Sequence, residues 1–181
     1  MRPKSWRQAS MQFDHILVVS GQRAVAASLR EMLRGFGPHG TVAWTSSATD
    51  ALEMAAKAPR CLLFVEAGSR EVDGLSLVGS LRRSAAAAKA APVIVISDVG
   101  TVAALRDAQN AGAHEFMIRP FSAAHLLKRL DAICGDPRSW IEVATYVGPD
   151  RRRFNSAAAR PSVERRSKTV GPGASADKAT A

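Results

Sequence analysis

Two spacings of apolar residues take turns along the chain. Unbroken apolar runs stand at "HILVVS" (15–20), "TVAWT" (41–45), "CLLFVEA" (61–67), "PVIVIS" (92–97) and "EFMI" (115–118). Runs of this kind, without polar alternation, suit strands covered on both faces. Between them, apolar residues fall three and four apart, as on one side of a helix. Val25, Leu29, Met32 and Leu33 predict a helix over 22–35, with Gly35 and Gly37 as stop signals. Ser46 or Ser47 can cap a second helix through Lys57, which Pro59 ends. Further helices are predicted over 75–83 after Gly74, over 101–111 closed by Gly112, and over 122–134 with Ser122 as N-cap.

This strict alternation of strand and helix predicts an α/β fold, a doubly wound parallel sheet with helices on both faces. For five strands the expected order is 2-1-3-4-5, the flavodoxin-like arrangement. In such a sheet the functional crevice lies beyond the C-terminal ends of the strands near the switch point. Strands 1, 3, 4 and 5 end at Ser20-Gly21, Glu66, Ser97-Asp98 and Arg119. Glu66 is therefore expected in the middle of the crevice.

From Asp136 on, no period is sustained, and Arg, Ser, Ala, Gly and Pro dominate. The expected organisation is a basic N-terminal extension (1–13), one domain (14–135) and a basic, mostly disordered tail (136–181). Trp140, Ile141, Val143, Tyr146 and Val147 are the residues able to pin the first part of that tail to the domain.

Charge follows the same division. The net charge of +9 leaves residues 14–137 nearly neutral, with 13 Lys/Arg against 12 Asp/Glu. Residues 1–13 carry three basic residues and no acid, and residues 138–181 carry nine basic against four acidic. Electrostatic attraction to an anionic partner would thus run through the ends. No apolar stretch is long enough for a membrane span, and the N-terminal residues lack the apolar core of a secretory signal. Cys61 and Cys134 read as two thiols in a reducing cytoplasm.

The residues at the strand ends resemble a known family, the receiver domain of bacterial two-component response regulators, typified by the chemotaxis regulator. The resemblance covers residues 14–135. "ILVVSG" stands where the family has a strand followed by two acidic residues. "LLFVEAGSREVDGLSL" stands where it has a strand, the phosphoacceptor Asp and, eight positions later, a Gly, here Gly74. "PVIVIS" ends at the family's switch Ser/Thr, here Ser97. "GAHEFMIRPF" matches its Gly-Ala, its aromatic switch position (Phe116), its Lys position (Arg119) and its cis-proline (Pro120).

The same comparison shows what differs. Family members accept a phosphoryl group on aspartate, with the acidic pair and the acceptor holding Mg²⁺. Here Ser20 and Gly21 replace the acidic pair, and Glu66, one methylene longer, replaces the acceptor. Arg119 is forked and bulkier than lysine. The resemblance therefore implies a pseudo-receiver without cofactor and with its Mg²⁺ site lost. Asp98 and Glu66 are a weaker alternative site, which Arg119 would neutralise. Three readings of Glu66 stay open. It is a fixed, partial copy of the phosphorylated state, paired to Arg119 and hydrogen-bonded by Ser97. Alternatively it is a solvated acid in a decayed site, or a residual phosphoacceptor.

The resemblance implies a stand-alone, cytoplasmic protein-interaction module of phosphorelay signalling and not an enzyme. Its partner is expected to be a histidine kinase or a downstream effector, with a homodimer also compatible. The family's interaction face maps to residues 101–134, where Arg106, Glu115, Phe116, His125 and Lys128 are expected to be exposed. The alternative is a regulator whose basic tail, with its cluster Arg151, Arg152 and Arg153, contacts nucleic acid. The four histidines and two cysteines are too scattered for a metal site. "GFGPHG" lacks the Lys-Ser/Thr of a phosphate loop, and no nucleophile elbow surrounds Ser97.

Overall fold

The computed structural model describes residues 13–36, 40–58, 60–135 and 138–153. Five parallel strands form one sheet: β1 (His15–Val19), β2 (Thr41–Thr45), β3 (Cys61–Glu66), β4 (Val93–Ser97) and β5 (Glu115–Ile118). Their order is β2-β1-β3-β4-β5, as the alternating pattern predicts. Five helices connect and cover them: α1 (Arg23–Arg34), α2 (Ala48–Lys57), α3 (Gly74–Arg83), α4 (Val102–Ala111) and α5 (Ala123–Gly135). A short 3₁₀ turn, Ala87–Ala90, lies between α3 and β4.

Successive strand residues point to opposite faces, so each apolar run feeds two cores. Leu17, Val19, Leu63, Val65, Val93, Val95 and Phe116 pack under α2, α3 and α4. Ile16, Val18, Leu62, Phe64, Ile94, Ile96 and Met117 pack under α1 and α5. This is why the runs show no alternation. The expected caps are present: the Ser47 and Ser122 side chains accept from the amides of Asp50 and His125. Asp73 and Thr101, not singled out in the sequence, cap α3 and α4 in the same way, accepting from the amides of Ser76 and Ala104. Gly112 closes α4 in the left-handed region, at φ 97°, which suits a residue without Cβ.

The C-terminal side departs from expectation. Residues 138–153 are not patternless. Trp140–Val143 (β6) and Tyr146–Pro149 (β7) form an antiparallel hairpin, and Arg151–Arg153 form a 3₁₀ turn. The hairpin packs against α3 and the end of α4. The Tyr146 ring is buried, and its hydroxyl donates to the Pro149 carbonyl at 2.7 Å. Arg151 lies over the Tyr146 ring, 4.4 Å from its centroid, and donates to Asn110 at 2.8 Å. A Cβ at Gly148 would meet the Tyr146 hydroxyl at 2.7 Å and the Gly112 Cα at 3.0 Å. The glycine in "YVGPD" is thus where the hairpin backbone touches the end of α4. Residues 1–12 and 154–181, on which the predicted N-terminal extension and most of the tail fall, lie outside the described residues.

Beneath the hairpin lies a cation that the sequence gives no reason to place indoors. Arg82 is 1% exposed. It donates to the carbonyls of Gly112 (2.9 Å), Lys89 (2.6 Å) and Ala91 (2.9 Å), and meets Nδ1 of His114 at 3.2 Å. The Trp140 ring covers the guanidinium at 5.4 Å, a cation–π contact strengthened by exclusion of water. Burial lowers the Arg82 pKa to about 10. The cost of burying a charge without a carboxylate is offset here by hydrogen bonds and the aromatic face.

Candidate functional site

The C-terminal edge of the sheet brings Ser20, Glu66, Ser97, Asp98 and Arg119 together, because β1, β3, β4 and β5 end there. Val19 pairs with Val65, Glu66 with Ile96, and Ser97 with Ile118, which sets the register. The backbone is fixed from both sides. The Trp44 indole donates to the Ser20 carbonyl at 3.0 Å, and the Arg119 amide donates to the Ser97 carbonyl at 2.9 Å. Arg119 and Pro120 are joined by a cis peptide bond, at the position where the motif predicts one.

Glu66 is 5% exposed and is no solvated loop acid. Both of its oxygens are taken. The Ser20 hydroxyl donates to Oε2 at 2.5 Å, and the Arg119 guanidinium forms an ion pair with Oε1 through Nη2. The same guanidinium grips Asp98, with Nε to Oδ1 and Nη2 to Oδ2 each at 2.8 Å. The result is a chain of charge-assisted bonds, Ser20–Glu66–Arg119–Asp98, running from the interior outward. Burial would lower the Arg119 pKa, but its hydrogen bonds to Asp98 and Glu66 outweigh burial and the net shift is upward.

Two sequence-based expectations are corrected. Ser97 does not hydrogen-bond Glu66. Its hydroxyl accepts from the Val99 amide at 3.0 Å, closing the turn after β4. Ser20, read only as a lost acidic ligand, takes the place assigned to Ser97. A small hydroxyl one strand away was legible as a possible donor, since β1 and β3 are neighbours. Gly21 has a further consequence. A Cβ there would collide with the Glu71 carboxylate and the Ser69 hydroxyl, so the loop after β3 lies directly on it. Ser69 donates to Glu71 at 2.8 Å, and this bond is the main cause of a lowered Glu71 pKa. Gly74 is also explained, since a Cβ at this position would run into the Glu66 carbonyl.

The expected interaction face is also only partly exposed. Arg106 and Lys128 face solvent and His125 is half-buried. Glu115 and Phe116 are buried, at 4% each. Glu115 pairs with Arg129 at 3.0 Å, itself buried, and burial raises the Glu115 pKa despite that partner. Phe116 lies in the core under α4. Among the described residues the exposed large apolar side chains are Val99, Val102 and Ile118 beside this face (54, 66 and 43% exposed) and Val143 in the hairpin (54%). Gly100 fits against Ile118, where a Cβ would come within 2.8 Å of Cδ1. Of the tail arginines, Arg151 is engaged with Tyr146 and Asn110, Arg152 is exposed, and the Arg153 side chain lies outside the described residues. Among the described residues, no group of three His, Cys, Asp or Glu side chains converges, and no helix is long and apolar enough to cross a membrane.

The model of the response regulator receiver domain matches residues 16–131. Solved structures agree. A candidate response regulator from Chloroflexus aurantiacus is 26% identical, with TM-score 0.60, covering 67% of this chain and 97% of its own. A response regulator from Thermotoga maritima is 22% identical, with TM-score 0.58, covering 68% and 99%. The receiver domain of a sensor histidine kinase from Pseudomonas aeruginosa, with magnesium coordinated in its active-site cleft, is 20% identical, with TM-score 0.56, covering 66% and 98%. No curated protein matches the chain.

Proposed function

The chain belongs to the response regulator receiver family of two-component signalling, and on that premise we propose that it is a receiver that binds its partner without accepting a phosphoryl group. The observation that carries this reading is the double engagement of Glu66. A phosphoacceptor needs a free carboxylate oxygen in line with the donor, and small displacements there cost large rate factors. Both oxygens of Glu66 are already held, by Ser20 and by Arg119. The Pseudomonas relative holds magnesium in its cleft. The donors present in this chain do not suit such an ion. Position 21 has no side chain, Ser20 spends its hydroxyl proton on Glu66, and Asp98 is neutralised by Arg119. A hard dication prefers several anionic oxygens, and here a guanidinium stands among them.

In this reading the internal ion pair replaces the phosphoryl switch and keeps the strand ends in one arrangement. The binding surface is the exposed apolar group Val99, Val102 and Ile118, beside Arg119 and Asp98, rather than Glu115 and Phe116. The partner is a signalling protein such as a histidine kinase or an effector. The test is intact-mass analysis after incubation with acetyl phosphate and Mg²⁺, in parallel with binding to a partner captured from the native host. No phosphoryl adduct, and partner binding lost in Val102→Asp but unchanged by acetyl phosphate, is the expected result. A stoichiometric adduct on Glu66 would overturn it.

A further inference from the structure

At the opposite edge of the sheet from Glu66, the N-terminal halves of β1, β2 and β3 and the last turn of α2 line a half-open cleft of about 200 Å³. Its inner wall is Leu17, Ala43, Met54, Ala55, Ala58 and Cys61. The cleft exists because three of these residues are alanines. Ala55 and Ala58 lie where α2 meets the sheet, and Ala43 faces them from β2. Larger side chains at these positions would fill the space. Protein interiors are otherwise packed like organic crystals, and unfilled apolar space lowers stability in proportion to its volume.

The chemistry of the wall is uniform. Burial pushes the Cys61 thiol up to about 11, so at neutral pH it is an uncharged, weakly polar group. No charged side chain belongs to the inner wall. His15 and Lys57 contribute from the solvent side. The Lys57 side chain is 81% exposed and sits 4.0 Å from Glu53. A dry apolar cavity of about 150 Å³ is large enough to take up benzene.

We infer that this cleft is a binding site for a small, uncharged, apolar molecule, about the size of a one- or two-ring aromatic. The argument is independent of the Glu66 site and of its reading. It makes Cys61 the reporter, because a ligand in the cleft lies between the thiol and solvent.

Indole is the probe, and the protein is the full chain carrying Cys134→Ser, which leaves Cys61 as its single thiol. The rate of Cys61 alkylation by N-ethylmaleimide is measured against indole concentration. Protection should reach about tenfold at ten times the dissociation constant, since a ligand of the native state slows every opening reaction by that factor. Ala55→Leu and Ala43→Val, two independent ways of filling the space, should each abolish the protection while leaving the melting temperature equal or higher. Three outcomes would overturn the inference: no protection up to the solubility of indole, protection that survives in both filled variants, or protection that appears only when residues 1–12 are deleted. The last would make the chain's own N-terminal segment the occupant.

Discussion

A carboxylate buried at 5% exposure holds its place through the partners on its two oxygens, and for Glu66 these differ in kind. Ser20 gives one neutral donor, while Arg119 gives charge. Glu66→Gln keeps the shape and removes the charge, leaving Arg119 with only the exposed Asp98. Removing one member of a buried pair is costly, and a loss of about 2–4 kcal/mol in urea unfolding is expected. Ser20→Ala should cost less, about 1–2 kcal/mol. Asp98→Asn should cost under about 1 kcal/mol, because the Asp98 side chain is 71% exposed and solvent screens it. An Asp98 effect equal to that of Glu66 would show that the outer half of the chain, and not the inner pair, holds Arg119. The site was legible in the sequence as a set of strand ends, since strand order alone brings Ser20, Glu66, Ser97 and Arg119 to one edge. Which hydroxyl reaches Glu66 was not legible. That depends on side-chain rotamers and on the turn after β4, where the Val99 amide takes Ser97 first.

At the scale of elements, β2 and β5 coincide with the predicted runs, and the caps at Ser47 and Gly112 fall where the signals put them. The hairpin escaped for a physical reason. Its strands have four residues each, too short to establish a period of two, and the connecting Ala144-Thr145 is not a glycine or asparagine turn signal. Arg82 escaped because a charged residue in a helix is ordinarily on its wet face. Arg82 and Arg138, which precedes the hairpin, meet at His114, which leads into β5. Its Nδ1 accepts from the Val93 amide and faces Arg82 Nη2, each at 3.2 Å, so the ring is neutral with its proton on Nε2. Burial first, then the charges of Arg82 and Arg138, hold its pKa well below 6.5. The unfolded chain therefore binds a proton at His114 that the folded chain refuses. Stability from this group is complete above about pH 6.5 and falls as pH drops below it, by about 1.4 kcal/mol per unit. Glu115, with its pKa raised by burial, acts in the opposite sense at acid pH. The contribution of His114 is thus the difference between wild type and His114→Gln. Urea unfolding at pH 7.0 and 5.5 should show that difference shrinking as pH falls; a constant difference would mean that folding leaves the His114 pKa unshifted, and a growing one that His114 is protonated in the fold.

For the whole molecule, the division into a neutral domain and basic ends survives as a statement about charge and changes as a statement about structure. The boundary between packed and unpatterned chain was expected at 136, yet the hairpin adds a buried tyrosine, a tryptophan over Arg82, and hydrogen bonds from Arg138, Gln109 and Arg151 that tie it to the domain. Two truncations separate these contributions. A chain ending at residue 153 keeps every one of these contacts and should melt with the full protein. A chain ending at residue 137 loses them all and uncovers Arg82, a cation without a carboxylate. Losing one buried aromatic costs roughly 1.5–3 kcal/mol in area alone. With the ring over Arg82 also gone, the expected loss is about 2–4 kcal/mol, or roughly 5–15 °C in melting temperature for a chain of this size. Electrostatics should divide differently. Residues 154–181 hold five basic and two acidic residues. If they attract an anionic partner, the chain ending at 153 should show the weakened, less salt-dependent binding even though its stability is intact. Arg151 then belongs with the fold, because its guanidinium is spent on Tyr146 and Asn110. Arg151→Ala should lower the melting temperature by a few degrees, in line with a cation–π contact and a hydrogen bond together worth about 1–2 kcal/mol, and should leave the salt slope unchanged. A lowered salt slope with unchanged stability would return Arg151 to the basic tail and leave Tyr146 to dock the hairpin without it.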